Sequence, residues 1–475
     1  MEKQVTKKGN FFLKNLLIFL ISGFLPKLLS FFLVPIYTNY LTTDQYGTAD
    51  LLSTTVALLI PIFTLTIYDA VFRFSMDEKR NQKEVFSQSI KVVLIGTFLV
   101  SIVLTIGLFL HIKGFTIQYL FLMICMFFLE SINNIVTRFC KAVNQVKIVG
   151  LAGIFNSFFV MICNILFLVV FRWGIEGYLL AYIIGQFVAV FICFLWGKLW
   201  RYFKIHSTRG LTKEMIKFSF PMIFSALAWW INNASDRYII TWLCGVSISG
   251  IYAVANKIPT LLSTVQTVFN QAWSISAIKE FDKEDKDGFI GSVYTNFSIV
   301  MGLATSAIIL VNFPLAKVLY GTAFFSAWKY SPPLVIAIFF NGISLYLDGL
   351  FLAVNNTKAI SICNIIGALI NTILNFLLIN FFGAYGAAIS TMIGFGIGYF
   401  LRVLWLKKYI NLKTKRWKTY CMLALLICQL IFSFFGLTLI VGQIVVFFAI
   451  SLLYIKEIKN ILKSFIFKII RKESK

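Results

Sequence analysis

Five charged side chains lie where a charge is costly. Between Phe218 and Trp273 the chain predicts two long apolar helices separated by the short turn Cys244–Gly250, and these carry Asp236, Arg237 and Lys257 inside segments long enough to cross a bilayer. Lys27 lies near the middle of the first apolar run, at about 1.5 Å of rise per residue, and Arg73 ends the second. An ionisable group at a helix centre costs about 2.5–3.5 kcal/mol on insertion scales, so such groups belong on a protein interior or in a wet cavity. Four cations from four helices (Lys27, Arg73, Arg237 and Lys257) suit an anionic cargo such as a phosphate or pyrophosphate: Arg grips bidentately, and Lys acts as a point charge. Structural readings compete. Arg237 can snorkel to the headgroups, and Arg73 can pair with Asp69 at i, i+4 or reach the surface. Lys27 is too deep for that escape.

Among carboxylates Glu130 is the deepest, with Asn133 and Asn134 a turn beyond it. A buried Glu can exchange a proton, or bind Na⁺ together with amide oxygens; it can equally be the structural partner of a lysine. Asp69 and Asp236 complete the set of ion-coupling candidates, while Asp50, Asp69 and Asp348 lie nearer helix ends. Catalysis has little to stand on. The chain contains no GxSxG, P-loop or HExxH pattern, and its two histidines, His111 and His206, fall in predicted loops. The longest loop on one side, Phe313–Tyr330, has no carboxylate of the kind a glycosyltransferase or polymerase needs, and no segment is long enough for an ATPase domain. The eight cysteines are scattered through apolar segments without CxxC pairs and read as small hydrophobes, neither disulfides nor metal ligands. No enzyme activity and no cofactor is expected beyond a coupling Na⁺ or H⁺.

The elements that hold these residues are membrane helices. The 475 residues are 59% hydrophobic and only 13% charged, against about 25% charged in soluble domains. Apolar runs recur from Phe11 to Leu462, giving an all-α polytopic membrane protein of about fourteen spans. Their approximate limits are 11–41, 45–74, 84–110, 115–143, 148–171, 175–198, 214–243, 247–277, 289–312, 332–354, 359–382, 384–406, 418–436 and 438–456. The first run is too long for a signal peptide and lacks a cleavage site, so it reads as an anchor. A net charge of +24 would suggest nucleic acid in a soluble chain, but here it is a topology signal. With the N-terminus inside, 35 of the 43 basic residues fall on the cytoplasmic side. Four lie outside (Lys113, Arg172, Lys317, Lys329) and four in the membrane (Lys14, Lys27, Arg237, Lys257). This bias places both termini in the cytoplasm for an even span count, with clusters such as Lys407–Lys418 and Lys456–Lys475 against anionic lipid.

The chain also repeats. Ala142-Val143-Asn144 matches Ala353-Val354-Asn355, and Lys147 and Asn164 match Lys358 and Asn375 in the same register. Glu130 faces Asn341 in this alignment. After a short gap, Gly174, Gly177 and Gly185 match Gly383, Gly386 and Gly394; earlier, Tyr46-Gly47 matches Ser249-Gly250. The unit is about six helices, and an even number of spans separates the copies, so the copies are parallel. This predicts an N-terminal lobe (1–206), a C-terminal lobe (207–410), and two extra helices with a basic tail (411–475). The lobes would enclose a central cavity and transport by rocking. Prolines 26, 35, 61, 221 and 259 interrupt the leading helices of both halves.

Two stretches carry a resemblance to a family. Ser235-Asp236-Arg237-Tyr238-Ile239-Ile240 followed by Gly250–Ile258, and Tyr46-Gly47 with Asp69-Ala70-Val71-Phe72-Arg73-Phe74, are similar to patterns of the polysaccharide-unit flippases in the multidrug/oligosaccharidyl-lipid/polysaccharide exporter superfamily. The resemblance covers essentially the whole chain. It implies translocation of an undecaprenyl-diphosphate oligosaccharide across a bacterial plasma membrane for capsule, O-antigen or exopolysaccharide. It also implies a cationic cavity formed here by Lys27, Arg73, Arg237 and Lys257, an ion gradient as the driver, and membrane lipids, a polymerase and glycosyltransferases as partners. Relatives that flip the peptidoglycan precursor carry several arginines in their first two helices, whereas the first span here has Lys27 and no arginine. Drug-exporting relatives have twelve helices and acidic cavities. A cation-drug antiporter is the alternative, and a membrane-embedded glycosyltransferase or polymerase a more distant one.

Overall fold

In hydrocarbon no water can satisfy a backbone amide, so apolar runs of this length close their hydrogen bonds internally as helices. The computed structural model describes residues 27–459 except 78, 111–114, 205–208, 280, 355, 413 and 415; these are helical with no strand among them. Lys14, Pro26, His111, Lys113, His206 and most of the basic tail lie outside the described residues. After a helical turn at 27–32 the elements are α1 Val34–Tyr40, α2 Thr43–Phe63, α3 Ile67–Ser75, α4 Gln82–Phe109, α5 Ile117–Ala142, α6 Val146–Asn164, α7 Gly174–Trp196 and α8 Arg209–Cys244. There follow α9 Val246–Ala255, α10 Lys257–Lys279, α11 Phe289–Leu319, α12 Ser331–Ala353, α13 Thr357–Phe382, α14 Ala384–Leu406, α15 Arg416–Phe434 and α16 Ile440–Leu453. Ten helices of the described residues are long and apolar enough to cross a membrane. The expected number of fourteen is therefore matched as an architecture and not as an exact count. α8 and α10 are present but too polar to rank among the ten.

The chain groups into two compact units, Met1–Tyr238 and Ile239–Lys475. In the first, one core joins Ile67, Val71, Phe86, Phe139 and Met215, and another joins Val56, Val100, Met126, Phe127 and Leu179. The predicted second span is broken. Pro61 lies inside α2, and Leu65 and Thr66 at the junction with α3 adopt left-handed φ values of 53° and 47°. Such conformations cost a non-glycine residue about 1–3 kcal/mol and persist only where the surroundings enforce them. The enforcement is visible. Thr66 Oγ1 donates to the Ser219 carbonyl and Ser219 Oγ to the Leu65 carbonyl, each at 2.7 Å. On the other flank, Gly96 of α4 has no side chain to collide with the Phe63 carbonyl.

In the second unit the expected turn Cys244–Gly250 shrinks to Gly245, at φ +94°, because α9 begins at Val246. The predicted eighth span breaks at Asn256, the C-cap of α9, three residues before Pro259. Both leading helices are thus interrupted, but the break in the second span lies much farther from Gly47 than Asn256 does from Gly250. The predicted Phe313–Tyr330 loop is mostly folded. α11 continues through Pro314 to Leu319, and a 3₁₀ segment, Thr322–Lys329, buries Phe324 and Trp328, while Asn312 Nδ2 donates to the Trp328 carbonyl at 2.8 Å. At the other end of α11 the buried Asp285 carboxylate accepts from the Ile290 and Gly291 amides (3.0 and 2.9 Å), capping the helix. Trp273 stacks on Tyr346, with ring centres 4.3 Å apart, in the space left by Gly349. The appended α15 is fixed to α11 by the reciprocal Ser306–Gln429 bonds. Cys140, Cys163, Cys193 and Cys363 are buried as expected of small hydrophobes, whereas Cys421 is exposed.

The repeat read from sequence recurs in the backbone. Gly174 and Gly383 have φ of +58° and +57° at the starts of α7 and α14. Gly185 lets α7 approach Asn156 and Val160 of α6, and its counterpart Gly394 lets α14 approach Gly367 and Asn371 of α13. Asn164 and Asn375 are both buried, at 1% and 0% exposure. A Cβ at Gly185 would lie 2.7 Å from Asn156 Oδ1, whereas at Gly153 it would meet nothing within 4 Å. Gly185→Ala should therefore lower stability by about 1–3 kcal/mol through overpacking, and Gly153→Ala should raise it by about 0.5–1 kcal/mol through helix propensity. Thermal unfolding in detergent checks both signs; equal shifts for the two variants contradict the close-packed seam.

Candidate functional site

The polar residues of the first unit form two groups within the membrane-spanning helices. The first runs along α8 where it lies on α2 and α3. Beyond the Ser219–Thr66 bonds, Trp230 Nε1 donates to the Thr54 carbonyl at 2.9 Å and the Tyr238 and Thr55 hydroxyls share a bond of 2.6 Å. Arg237 Nε pairs with Asp50 at 2.6 Å, and both side chains are about one fifth exposed. Asp236, beside it, is buried. α8 is thus hydrogen-bonded along its length to the broken second span, with the one ion pair of the series near the far end.

The second group joins α3, α5 and α7. Arg138 Nη1 pairs with Asp69 at 2.5 Å and its guanidinium sits 5.0 Å over the Tyr68 ring. This displaces the expected i, i+4 pair of Asp69 with Arg73: the i, i+4 spacing permits that contact, but Arg138 takes the carboxylate and Arg73 stays exposed. One turn deeper, Tyr182 donates to Glu130 Oε2 at 3.1 Å and Asn133 Nδ2 donates to Gln186 Oε1 at 2.8 Å. Asn134, i+4 from Glu130, is half-buried on the same flank of α5. No lysine or arginine pairs with Glu130 among the described residues, so the reading of Glu130 as a lysine's partner finds no lysine there.

The four predicted cations therefore separate by environment. Arg237 is neutralised by Asp50. Lys27 and Arg73 are exposed, and Lys257, the first residue of α10, is half-buried in the second unit; among the described residues none of the three has a carboxylate partner. Exposed or half-exposed cations without partners can take an anion from outside the protein, and Arg237 must first release one.

The second unit holds a buried charge network that the reading of the sequence missed. Arg402 was counted with the basic residues at the membrane surface, yet it lies inside α14 at 3% exposure. Its Nε and Nη2 grip both oxygens of Asp348 at 2.7 and 3.2 Å, Nη2 also donates to Asn364 at 2.7 Å, and Nη1 to the Gly398 carbonyl at 3.0 Å. Four of the five guanidinium donors are used, so this network braces α12, α13 and α14 against one another. The available signal was that Asp348 and Arg402 each lie a turn or more inside apolar helix ends. In the repeat register the corresponding positions of the first unit are Thr137, Cys193 and Gly153, which carry no charge.

A family model described as "Polysaccharide biosynthesis protein" matches residues 12–274. No curated protein matches the chain. Among solved structures, one titled "Lipid II flippase MurJ, inward closed conformation" is similar at a TM-score of 0.69 and 16% identity, over 93% of this chain and all of that one. An inward-facing multidrug resistance MATE family transporter of the MOP superfamily aligns at 0.63 and 13% identity, over 85% and 96% of the two chains. A MOP superfamily transporter from Pyrococcus furiosus, whose title speaks of reversed polarity in its binding pocket, aligns at 0.53 and 14% identity, over 86% and 96%. At 13–16% identity these likenesses establish the fold alone, an all-helical one shared along most of both chains.

The Asp50–Arg237 contact makes its own prediction. Neutralising either partner alone (Asp50→Asn or Arg237→Gln) should cost about 1–3 kcal/mol, the desolvation penalty of the partner left behind. The exchange Asp50→Arg with Arg237→Asp should recover at least half of that loss in detergent melting curves. Additive losses in the exchanged pair are the opposing outcome.

Proposed function

Because the chain belongs to the polysaccharide biosynthesis protein family, we propose that it is a flippase for lipid-linked oligosaccharide repeat units. Lys27, Arg73 and Lys257 are the candidates to meet the cargo's diphosphate. The observation that carries this reading is the sorting of charge: carboxylates Asp50, Asp69 and Asp348 are each held by an arginine, while Lys27, Arg73 and Lys257 have none opposite them among the described residues. Cations so sorted attract a polyanionic headgroup and repel an organic cation, which supports a lipid diphosphate over the drugs carried by multidrug relatives. The headgroup then crosses in a wet, cationic environment while the polyprenyl tail stays in lipid. We assign the cargo to undecaprenyl-diphosphate oligosaccharides destined for capsule, O-antigen or exopolysaccharide, and the location to a bacterial plasma membrane with both termini cytoplasmic. The polymerase and glycosyltransferases of such a pathway are its natural partners.

Alternating access needs an element with two arrangements. The broken α2–α3 span supplies one: side-chain bonds to Ser219 help hold its left-handed junction, and α8, which carries Ser219, also carries the Arg237 that pairs with Asp50. An ion gradient would act through Glu130, whose only described polar partner is the neutral Tyr182. Protonation or Na⁺ binding there changes the charge of the α5–α7 face without breaking an ion pair.

Lys27→Ala, Arg73→Ala and Lys257→Ala should each reduce surface polysaccharide at least tenfold in a complemented deletion strain, a loss of about 1.4 kcal/mol or more of recognition, while membrane insertion persists. Normal polymer in all three variants overturns the cationic site. Resistance to organic cations on overexpression, with unchanged polymer, would instead favour a drug antiporter. Glu130→Gln should leave binding of the lipid-linked cargo intact and remove the dependence of transport on an imposed H⁺ or Na⁺ gradient; gradient dependence equal to that of the unaltered protein removes Glu130 from the coupling step.

A further inference from the structure

A pocket in the second unit has no place in that mechanism. It is a small cleft of about 40 Å³, half open at its mouth, with Tyr294, Leu347, Tyr399, Val403, Leu406 and Lys407 among its lining residues. Its position follows from the elements that build it. Tyr294 is in the second turn of α11, Leu347 is six residues from the end of α12, Val403 and Leu406 close α14, and Thr419 and Tyr420 open α15. Each helix contributes its turn at the end where the lysine-rich connections lie, so the pocket opens at the basic membrane surface of this unit. It sits where the appended α15 meets the six-helix repeat.

Its lining is amphiphilic. Leu347, Val403, Leu406, Ile410 and Leu412 supply an apolar wall. Thr414, Thr419 and the Tyr294–Tyr399 hydroxyl pair, 3.0 Å apart, supply hydrogen-bonding groups, and Lys407 supplies the one charge among the described residues of the lining. No carboxylate lines it: Asp348, next to Leu347, is committed to Arg402, and Glu457 is bound to Lys418 at 2.8 Å. Lys407 itself is exposed and forms no ion pair among the described residues. Trp417 and Tyr420, 58% and 50% exposed on the first turn of α15, are the amphipathic side chains that settle at a bilayer interface. The apolar wall excludes a free inorganic anion as the natural occupant, and the lysine at a basic membrane face selects against a neutral lipid.

We propose that this pocket is a binding site for an anionic phospholipid of the adjoining leaflet. Lys407 meets the phosphate, the threonine and tyrosine hydroxyls meet the glycerol esters, and the chains run out along Val403 and Leu406. The bound lipid fills the seam between α11, α12, α14 and α15 and so holds the appended helix pair to the repeat. The proposal is independent of the cargo assigned above.

Native mass spectrometry of the full chain in detergent, titrated with phosphatidylglycerol or with phosphatidylcholine of the same chains, tests it directly. The unaltered protein should retain phosphatidylglycerol with about fivefold preference, the contribution of one near-surface lysine. Lys407→Glu should abolish that preference, Val403→Trp should reduce occupancy by both lipids through filling the cavity, and Lys408→Glu, at an exposed neighbour outside the pocket, should keep the preference. Thermal unfolding supplies a readout that needs no variant: phosphatidylglycerol should raise the midpoint, while phosphatidylcholine and inorganic phosphate should not. Equal retention of the two lipids, an undiminished preference in Lys407→Glu, or stabilisation by inorganic phosphate alone would overturn the site.

Discussion

A charge below the lipid surface must be answered by something, and most of the polar architecture here follows from what answers each one. Asp50, Asp69 and Asp348 are answered by Arg237, Arg138 and Arg402, each from a different helix, so every pair also fixes a helix–helix register. The same rule governs the backbone. Where Pro61 and the left-handed Leu65 and Thr66 interrupt a span, hydroxyls of Thr66 and Ser219 supply the bonds the helix has lost. Lys27, Arg73 and Lys257 have no such answer within the described residues, and the proposed function assigns that answer to an anionic cargo.

The pairs differ in what they can do. Arg402 is gripped by Asp348, Asn364 and the Gly398 carbonyl, and a buried network of that kind resists rearrangement. Asp50–Arg237 is about one fifth exposed, at the far end of a seam whose other members are one or two hydrogen bonds each. It can open at moderate cost. The bracing network and the openable contact thus lie in different units, which fits a protein in which one part deforms and another keeps its shape.

Much of this was legible in the residues. Periodic apolar runs specify the helices, and the repeat emerged from glycines whose spacing proved to mark a conserved backbone device: Gly174 and Gly383 share a left-handed φ, and Gly185 and Gly394 a close helix approach. Three features were not legible, each for a physical reason. Arg402 was taken for a surface charge because a basic residue near a helix end ordinarily snorkels, and nothing local shows that Asp348 and Asn364 wait on two other helices. Arg138, which holds Asp69 in place of Arg73, was hidden in the same way, since pairs between helices carry no signature in sequence separation. The Phe313–Tyr330 stretch reads as a loop between two apolar runs, whereas burial of Phe324 and Trp328 makes it a folded cap.

The central claim is that unpartnered membrane cations select a lipid diphosphate. The most direct measurement is translocation by the purified chain in sealed proteoliposomes, using a fluorescent polyprenyl-diphosphate oligosaccharide whose appearance in the opposite leaflet is read by a membrane-impermeant quencher. The account predicts protein-dependent crossing that a matched polyprenyl alcohol lacking the diphosphate neither shows nor inhibits. Equal movement of the alcohol, or uptake of an organic cation with no movement of the diphosphate lipid, would contradict it.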